Sequence, residues 1–253
     1  RPNFVQWLRF TVLDLITMML IGVAAVVIFF QNPVTDRVFP IQFADGNVVY
    51  PSIAYPRVKE IITSWVSAVI SFGVPVLFFI MTALIRTRSF WDLNNAILGL
   101  LYALTTGTLF QVTIKWLIGG FRPHFLATCK PLSPLNLIGM GYQGLMFDRS
   151  ICTATNGQLR EASTSFPSGH SMAAFAGFLF LSLYINAKFN VFANRHASHW
   201  KLALFYAPLL AATLVSASKV IDYYHHWYDV LAGAAIGILM ALSAYRMVYA
   251  SIW

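Results

Sequence analysis

The stretch YDVLAGAAIGILMALSAYRMVYA, residues 228–250, decides the fold class, because it is apolar over more residues than a bilayer requires. A helix needs about 20 residues to cross the hydrocarbon core. Its only charged residues, Asp229 and Arg246, stand near the two ends. Gly233 and Gly237 have the four-residue spacing that lets membrane helices approach closely. We therefore predict a membrane-spanning helix that packs tightly against its neighbours.

Five more apolar stretches of similar length precede it, at about 8–30, 61–85, 91–117, 169–187 and 201–218. The first lacks a clear small-residue cleavage site, so we expect a spanning helix and no cleavable signal peptide. Of the 253 residues, 58% are hydrophobic and 10% are charged, against about 25% charged in soluble domains. We expect an all-α integral membrane protein in which residues 1–253 form one domain, a bundle of six transmembrane helices.

The connections between these stretches alternate in length and charge. The short joins near 86–90 and 188–200 and the two termini are basic. Their cations are Arg1, Arg9, Arg86, Arg88, Lys188, Arg195, Lys201 and Arg246. The other side holds two long loops, about 31–60 and 118–168, and a short one at 219–227. Because Lys and Arg accumulate in cytoplasmic loops, we expect cytoplasmic termini and long loops that face the exterior or the lumen of the vacuole or Golgi.

Two cysteines, Cys129 and Cys152, fall in the second long loop. Because the lumenal side is oxidising, we expect a disulfide there. In the chain-entropy model such a bridge contributes roughly 3 kcal/mol. The alternative is two unrelated free thiols.

Ionisable residues at the edge of apolar helices are expensive and therefore candidates for function. Lys115 and Arg122 form the first cluster of them. Gly119 and Pro123 predict that the helix ends between these two cations, which then point at one spot near the membrane surface. The alternative is a snorkelling Lys followed by a loop Arg. We interpret the neighbouring His124 as a rim residue without a role.

The second cluster is FPSGH, residues 166–170, directly before an apolar helix. A Pro-Ser-Gly turn that opens a helix points backbone N–H groups outward at the positive helix end, which favours anion binding. Ser168 adds a hydroxyl donor, and His170 would lie beside the bound anion. The alternative is an ordinary helix start that Ser168 caps.

The third cluster contains Lys219, His225 and Asp229. His225 and Asp229 are four residues apart, so on a helix they would lie one above the other. The carboxylate would then bind one imidazole nitrogen and leave the other free as a nucleophile or base. In a continuous helix Lys219 would not lie on the same face as His225. We therefore predict a turn between these two residues. We interpret His226 as a packing residue.

A zinc site is a competing interpretation of His225, His226 and Asp229. The cations of the three clusters argue against it, because they repel a metal and attract phosphate. We therefore expect no metal and no cofactor. The net charge of +8 fits cytoplasmic loops and phosphate-bearing ligands. The expected partners are a lipid phosphate and the bilayer, and no nucleic acid; the sequence does not indicate an oligomeric state.

The three clusters together resemble the signature of the type-2 phosphatidic acid phosphatase superfamily. That signature is Lys, six residues and Arg-Pro, then Pro-Ser-Gly-His, then Ser-Arg, five residues, His, three residues and Asp. The matching positions are Lys115, Arg122-Pro123, Pro167-Ser168-Gly169-His170, Ser218, His225 and Asp229. The resemblance covers the whole chain. The sequences at 122–126 and 222–230 resemble those of the lipid phosphate phosphatase branch, including its fungal members.

This resemblance implies a two-step phosphatase mechanism at the non-cytoplasmic membrane face. His225 would attack phosphorus and form a phosphohistidine, Asp229 would orient His225, and His170 would protonate the leaving alcohol and then activate water. The implied substrates are phosphatidate, diacylglycerol pyrophosphate and lysophosphatidate, cleaved without magnesium. The groups that would hold the phosphate oxygens are Lys115, Arg122, Ser168, Gly169 and Lys219.

The chain departs from the signature at one position, where Lys219 replaces Arg. Arg binds phosphate with a planar fork, whereas Lys is a point charge. Loss of a charge-assisted hydrogen bond of about 1.5–3 kcal/mol would slow the reaction by roughly 10–100-fold. One alternative is therefore a catalytically impaired or non-enzymatic family member. Another is a phosphatase for a sphingoid-base phosphate or a polyprenyl diphosphate.

Overall fold

The computed structural model describes residues 4–34, 37–41, 51–131, 139–192, 196 and 198–250. Six helices in this part of the chain are long and apolar enough to cross a membrane. The helices in chain order are α1 (Phe4–Phe30), α2 (Ser64–Thr82), α3 (Phe90–Ile118), the short α4 (Phe125–Cys129) and α5 (Asn156–Ala162), then α6 (Gly169–Phe189), α7 (His199–Ile221) and α8 (Trp227–Val248). The predicted all-α bundle of six spanning helices is confirmed.

The predicted helix boundaries are right to within a few residues. α1 begins at Phe4 rather than at 8, and α7 extends to Ile221 rather than to 218. α2 begins at Ser64 rather than at 61 and continues through a wide turn over Ala83–Thr87. Arg1 and Arg195, two cations of the charge argument, lie outside the described residues.

The central helix of the bundle is α6, which contacts α2, α3, α7 and α8. Glycines permit this close packing. A Cβ atom on Gly177 of α6 would lie 2.1 Å from the backbone oxygen of Ser71, and one on Gly237 of α8 would lie 2.4 Å from that of Met172. A Cβ atom on Gly233 would also meet backbone, at 2.3 Å. The predicted packing role of Gly233 and Gly237 is confirmed.

We expect the Gly237→Ala variant to unfold at a lower temperature than the parent protein. The added methyl group would displace the backbone of α6, and overpacking of this kind costs about 1–3 kcal/mol. The measurement is the thermal unfolding midpoint in detergent. Gly73→Ala is the matched control, because a Cβ atom there meets nothing within 4 Å. Equal midpoints for both variants would contradict the close α6–α8 approach.

The remaining spanning helix, α1, lies against α3. The Trp7 indole donates a hydrogen bond to the Asn94 side chain at 2.7 Å. At the other end of α1 the Phe30 carbonyl accepts a hydrogen bond from Arg160 at 2.7 Å. Most apolar side chains of α1 are exposed, as suits a helix that faces lipid.

The loops beyond the end of α3 form a small core of their own. The strands β1 (Phe39–Pro40) and β2 (Met146–Phe147) pair antiparallel, and α4 contacts α5. Cys129 and Cys152 form the expected disulfide, so the alternative of two free thiols is wrong. This small core rests on the end of the bundle where α3 ends and α6 and α8 begin. Its buried side chains include Phe39, Ile41, Ile53, Phe125, Phe147, Ile151 and Leu159.

Candidate active site

A cavity of about 500 Å³ opens at this end of the bundle. Its lining includes residues of all three predicted clusters. These residues are Lys115, Arg122, Gly169, His170 and His225. The lining also includes apolar side chains from the spanning helices, among them Ile28, Phe29, Ala68, Val112 and Met172. The cavity therefore suits a ligand with an anionic head and an apolar body.

The end of α3 determines where the first two cations lie. Gly119 has a φ of +63° and donates its N–H to the Lys115 carbonyl at 2.8 Å, so the helix ends there as predicted. The Lys115 ammonium donates to the Thr164 carbonyl at 3.1 Å. Arg122 pairs with Glu161 at 3.3 Å, while its buried Nε atom has no hydrogen-bond partner among the described residues. Both cations can therefore still donate hydrogen bonds to an anion in the cavity.

The start of α6 forms the second part of the site. The Ser168 hydroxyl caps the helix by accepting a hydrogen bond from the Ser171 N–H at 3.4 Å. Ser168 is fully buried and does not line the cavity. Gly169 does line it, and as the first helical residue its N–H has no partner within the helix. The Gln111 side chain fixes this turn by donating to the Pro167 carbonyl at 3.0 Å.

His225 and Asp229 come close through a turn and not through a continuous helix. His225 precedes α8, whereas Asp229 lies in its first turn and accepts a hydrogen bond from the His226 N–H at 3.0 Å. His225 thus lies in the predicted loop at 219–227, and the helix begins after it. The His225 Nδ1 atom still lies 3.6 Å from the Asp229 carboxylate.

Ser165 completes this arrangement, and no local sequence pattern indicates it. Its hydroxyl donates to the Asp229 carboxylate at 2.5 Å and lies 3.5 Å from His225 Nδ1. With Nδ1 turned toward these partners, the Nε2 atom of His225 is the nitrogen left for chemistry. Burial lowers the pKa of His225 well below its usual range, although the hydrogen bond to Asp229 opposes this effect. This shift favours the neutral imidazole, which is the form that a nucleophile needs.

Lys219 is fully buried and is not part of the cavity wall. Its ammonium group donates to Asp222 at 2.7 Å and to Glu60 at 3.3 Å. It also lies 5.2 Å from the centre of the Tyr224 ring. The predicted turn between Lys219 and His225 is confirmed, because α7 ends at Ile221. In the structure Lys219 therefore pairs with two carboxylates and does not line the cavity.

His170 faces His225 with 6.3 Å between the ring centres. Its Nε2 atom is buried and has no hydrogen-bond partner among the described residues. The Glu60 carboxylate lies 3.9 Å from that nitrogen. The two imidazoles can therefore act on one group between them, because reacting atoms lie about 3–3.5 Å apart in a near-attack geometry.

The two other histidines of this region have structural contacts. His124 is buried, and its Nδ1 atom lies 2.8 Å from the carbonyl oxygen of Tyr223, a residue with a φ of +59°. Burial lowers the pKa of His124. The interpretation of His124 as a rim residue is wrong, because it supports the turn before His225. His226 stacks on Tyr228 and contacts the Phe121 carbonyl at 3.2 Å, as expected of a packing residue.

The donor set of the cavity suits an anion. Among the described residues, no group of three or more His, Cys, Asp or Glu side chains could hold a metal ion. The cavity is instead lined by three cations, Lys115, Arg122 and Arg160, together with one carboxylate, Glu161, a helix start and two imidazoles. Preorganised donors of this kind stabilise negative charge as it develops on a phosphoryl group.

Residues 96–253, more than half of the chain, match the PAP2 superfamily. The chain belongs to this superfamily and to its lipid phosphate phosphatase branch. Lys115, Arg122, Gly169, His170 and His225 all lie within the matched region.

Three relatives show how far the similarity extends. The chain is 38% identical to lipid phosphate phosphatase 1 of Arabidopsis thaliana, with 81% of the chain and 60% of the relative aligned. It is 37% identical to a PA-phosphatase related-family protein of Dictyostelium discoideum, with 80% and 61% aligned. It is 30% identical to diacylglycerol pyrophosphate phosphatase 1 of Saccharomyces cerevisiae, with 88% and 74% aligned. The chain thus spans about three fifths of the length of the first two relatives. No solved structure matches it.

Proposed function

We propose that this chain is an enzyme that removes phosphate from lipid phosphates without a metal ion, through a phosphohistidine on His225. One observation carries the proposal: His170 and His225, with 6.3 Å between their ring centres, both line a cavity that is also lined by cations and by apolar side chains. A lipid phosphate has the matching anionic head and hydrocarbon body. Relatives named lipid phosphate phosphatase and diacylglycerol pyrophosphate phosphatase support the same class.

The first chemical step forms the phosphohistidine. The Nε2 atom of His225 attacks phosphorus, the bond from phosphorus to the leaving oxygen breaks, and His170 gives its proton to that oxygen. The second step hydrolyses the intermediate. Water attacks phosphorus, the nitrogen–phosphorus bond breaks, and His170 takes the proton from the water. Asp229 holds Nδ1 of His225 and stabilises the positive charge that the ring gains.

The phosphate oxygens are held in this mechanism by the groups that line the cavity. Lys115 and Arg122 supply two positive charges, and Gly169 supplies a backbone N–H at the positive end of α6. Ser168 contributes indirectly, because its hydroxyl caps that helix. Lys219 acts through its carboxylate partners, because its ammonium group does not reach the cavity wall. These charges neutralise the phosphate, so the mechanism needs no magnesium.

The proposed substrates are phosphatidate, diacylglycerol pyrophosphate and lysophosphatidate. A sphingoid-base phosphate or a polyprenyl diphosphate fits the same reacting groups, so only a substrate panel separates these lipids. We also propose that the termini are cytoplasmic and that the cavity opens to the exterior or to a vacuolar or Golgi lumen. The basic short joins of the chain support this orientation.

The proposal predicts that the protein releases phosphate from phosphatidate in detergent micelles that contain EDTA. The cations of the site, and not a metal, would supply the positive charge. Phosphate release is measured across the lipid panel, with and without EDTA. Activity that depends on added magnesium would contradict the mechanism. Release from none of these lipids, with a large gain in a Lys219→Arg variant, would instead identify an impaired family member.

A further inference from the structure

Glu60 is a carboxylate from outside the three sequence clusters that reaches His170. It lies in the segment before α2, and its Oε2 atom is 3.3 Å from Lys219 Nζ and 3.9 Å from His170 Nε2. That imidazole nitrogen is buried and lacks a hydrogen-bond partner among the described residues. A second carboxylate, that of Asp222, also binds Lys219, at 2.7 Å.

The segment that carries Glu60 is docked onto the turn before His225. The Tyr55 ring stacks on the Tyr223 ring with 4.5 Å between the centres. The Tyr55 N–H donates to the Pro123 carbonyl at 3.0 Å, and the Ile61 N–H donates to the Asp222 carboxylate at 3.3 Å. Glu60 is therefore held against Lys219 and His170 by contacts on both sides of it.

The charges around His170 oppose its protonated form. The cations Lys115 and Arg122 line the same cavity as this ring, and Lys219 binds the carboxylate that lies beside it. Glu60 is shared between Lys219 and His170, since its carboxylate lies 3.3 Å from the ammonium group and 3.9 Å from Nε2 of the ring. An opposite charge within about 4–6 Å favours the charged form of a group by tenfold or more. A charged His170 is the form that can protonate a leaving group.

We infer that Glu60 is a positioning residue that favours the protonated form of His170 beside the leaving oxygen, and that it thereby lets the site cleave phosphate monoesters as well as diphosphates. The inference rests on the proposed function. A monoester such as phosphatidate leaves as an alcohol, and its oxygen needs the His170 proton as the bond to phosphorus breaks. A diphosphate leaves as a phosphate group, which carries its negative charge without that proton.

The test compares two substrates with one Glu60→Gln preparation. Glutamine keeps the size of the side chain and removes its charge. We expect kcat/KM for phosphatidate to fall about 10–100-fold and kcat/KM for diacylglycerol pyrophosphate to fall less than about threefold, because general acid catalysis contributes about 10²–10⁴-fold only where a proton is needed. The ratio of the two values does not depend on how much of the preparation is folded.

Two further variants separate this role from a structural one. Glu60→Asp retains the charge and is expected to recover part of the phosphatidate activity. Asp148→Asn, which removes a carboxylate that binds Ser150 away from the cavity, is expected to change neither substrate. Equal losses on both substrates, or no loss on phosphatidate, would overturn the inference while leaving the proposed function intact. A wild-type protein without EDTA-resistant activity would overturn both.

Discussion

Replacement of His225 by asparagine is expected to lower kcat/KM for phosphatidate by about 10⁴-fold or more, the scale of loss when the nucleophile of a covalent mechanism is removed. The physical reason is that Asp229 holds Nδ1 of His225, which leaves its Nε2 atom for attack on a phosphate in the cavity. Asparagine fills similar space but cannot form the phosphohistidine. Phosphate release in micelles with EDTA measures the effect on every lipid of the panel.

His226 provides a matched control for this substitution. It is the next residue in the chain, but its ring stacks on Tyr228 outside the cavity. Asparagine is also a good residue for the helix start that His226 occupies. His226→Asn should therefore retain most of the activity. Full activity in His225→Asn, or an equal loss in both variants, would rule out His225 as the nucleophile.

The fold of this chain is largely predictable from sequence because the bilayer restricts it. A spanning helix must be apolar over about 20 residues, so the stretch at 91–117 corresponds closely to the helix Phe90–Ile118. Helix ends are less predictable where a polar loop meets the membrane surface. The prediction for α2 begins three residues early, because Ile61 turns its N–H to Asp222 rather than into the helix.

The candidate site is predictable only where its residues stand beside helix ends. Lys115 precedes a glycine stop and His170 follows a proline-containing turn, so their approximate positions follow from local sequence. Ser165 and Glu60 have no such signal. Ser165 meets Asp229, 64 residues later, and Glu60 meets Lys219, 159 residues later. These pairings depend on how the loops fold over the bundle, which local patterns do not encode.

The interpretation of Lys219 changes most when the three-dimensional contacts are known. From sequence it is a weakened phosphate ligand, since it stands where the family has Arg. In the structure its ammonium group is buried between Asp222 and Glu60. A buried charge that loses its partner destabilises a protein by about 3–5 kcal/mol. A loss of activity in a Lys219 variant would therefore report first on the position of Glu60 and His170.

Replacement of His170 by asparagine is expected to trap the phosphohistidine when the substrate is a diphosphate. The phosphate leaving group needs no proton, so His225 can still be phosphorylated by diacylglycerol pyrophosphate. The intermediate then lacks a base to activate water, and general base catalysis contributes about 10²–10⁴-fold. With the terminal phosphate radiolabelled, label should approach one per protein. The label should be released by acid and resist alkali, as expected for a bond between phosphorus and an imidazole nitrogen.

The substrate and the second histidine provide the controls for this trap. Phosphatidate should label His170→Asn much more slowly, because its alcohol leaving group depends on the missing proton. The double variant with His225→Asn should carry no label from either lipid. Label that persists in the double variant would place the nucleophile elsewhere. A His170→Asn protein that turns over diphosphate at the wild-type rate would show that water needs no help from His170, and the assignment of acid and base to one residue would fail.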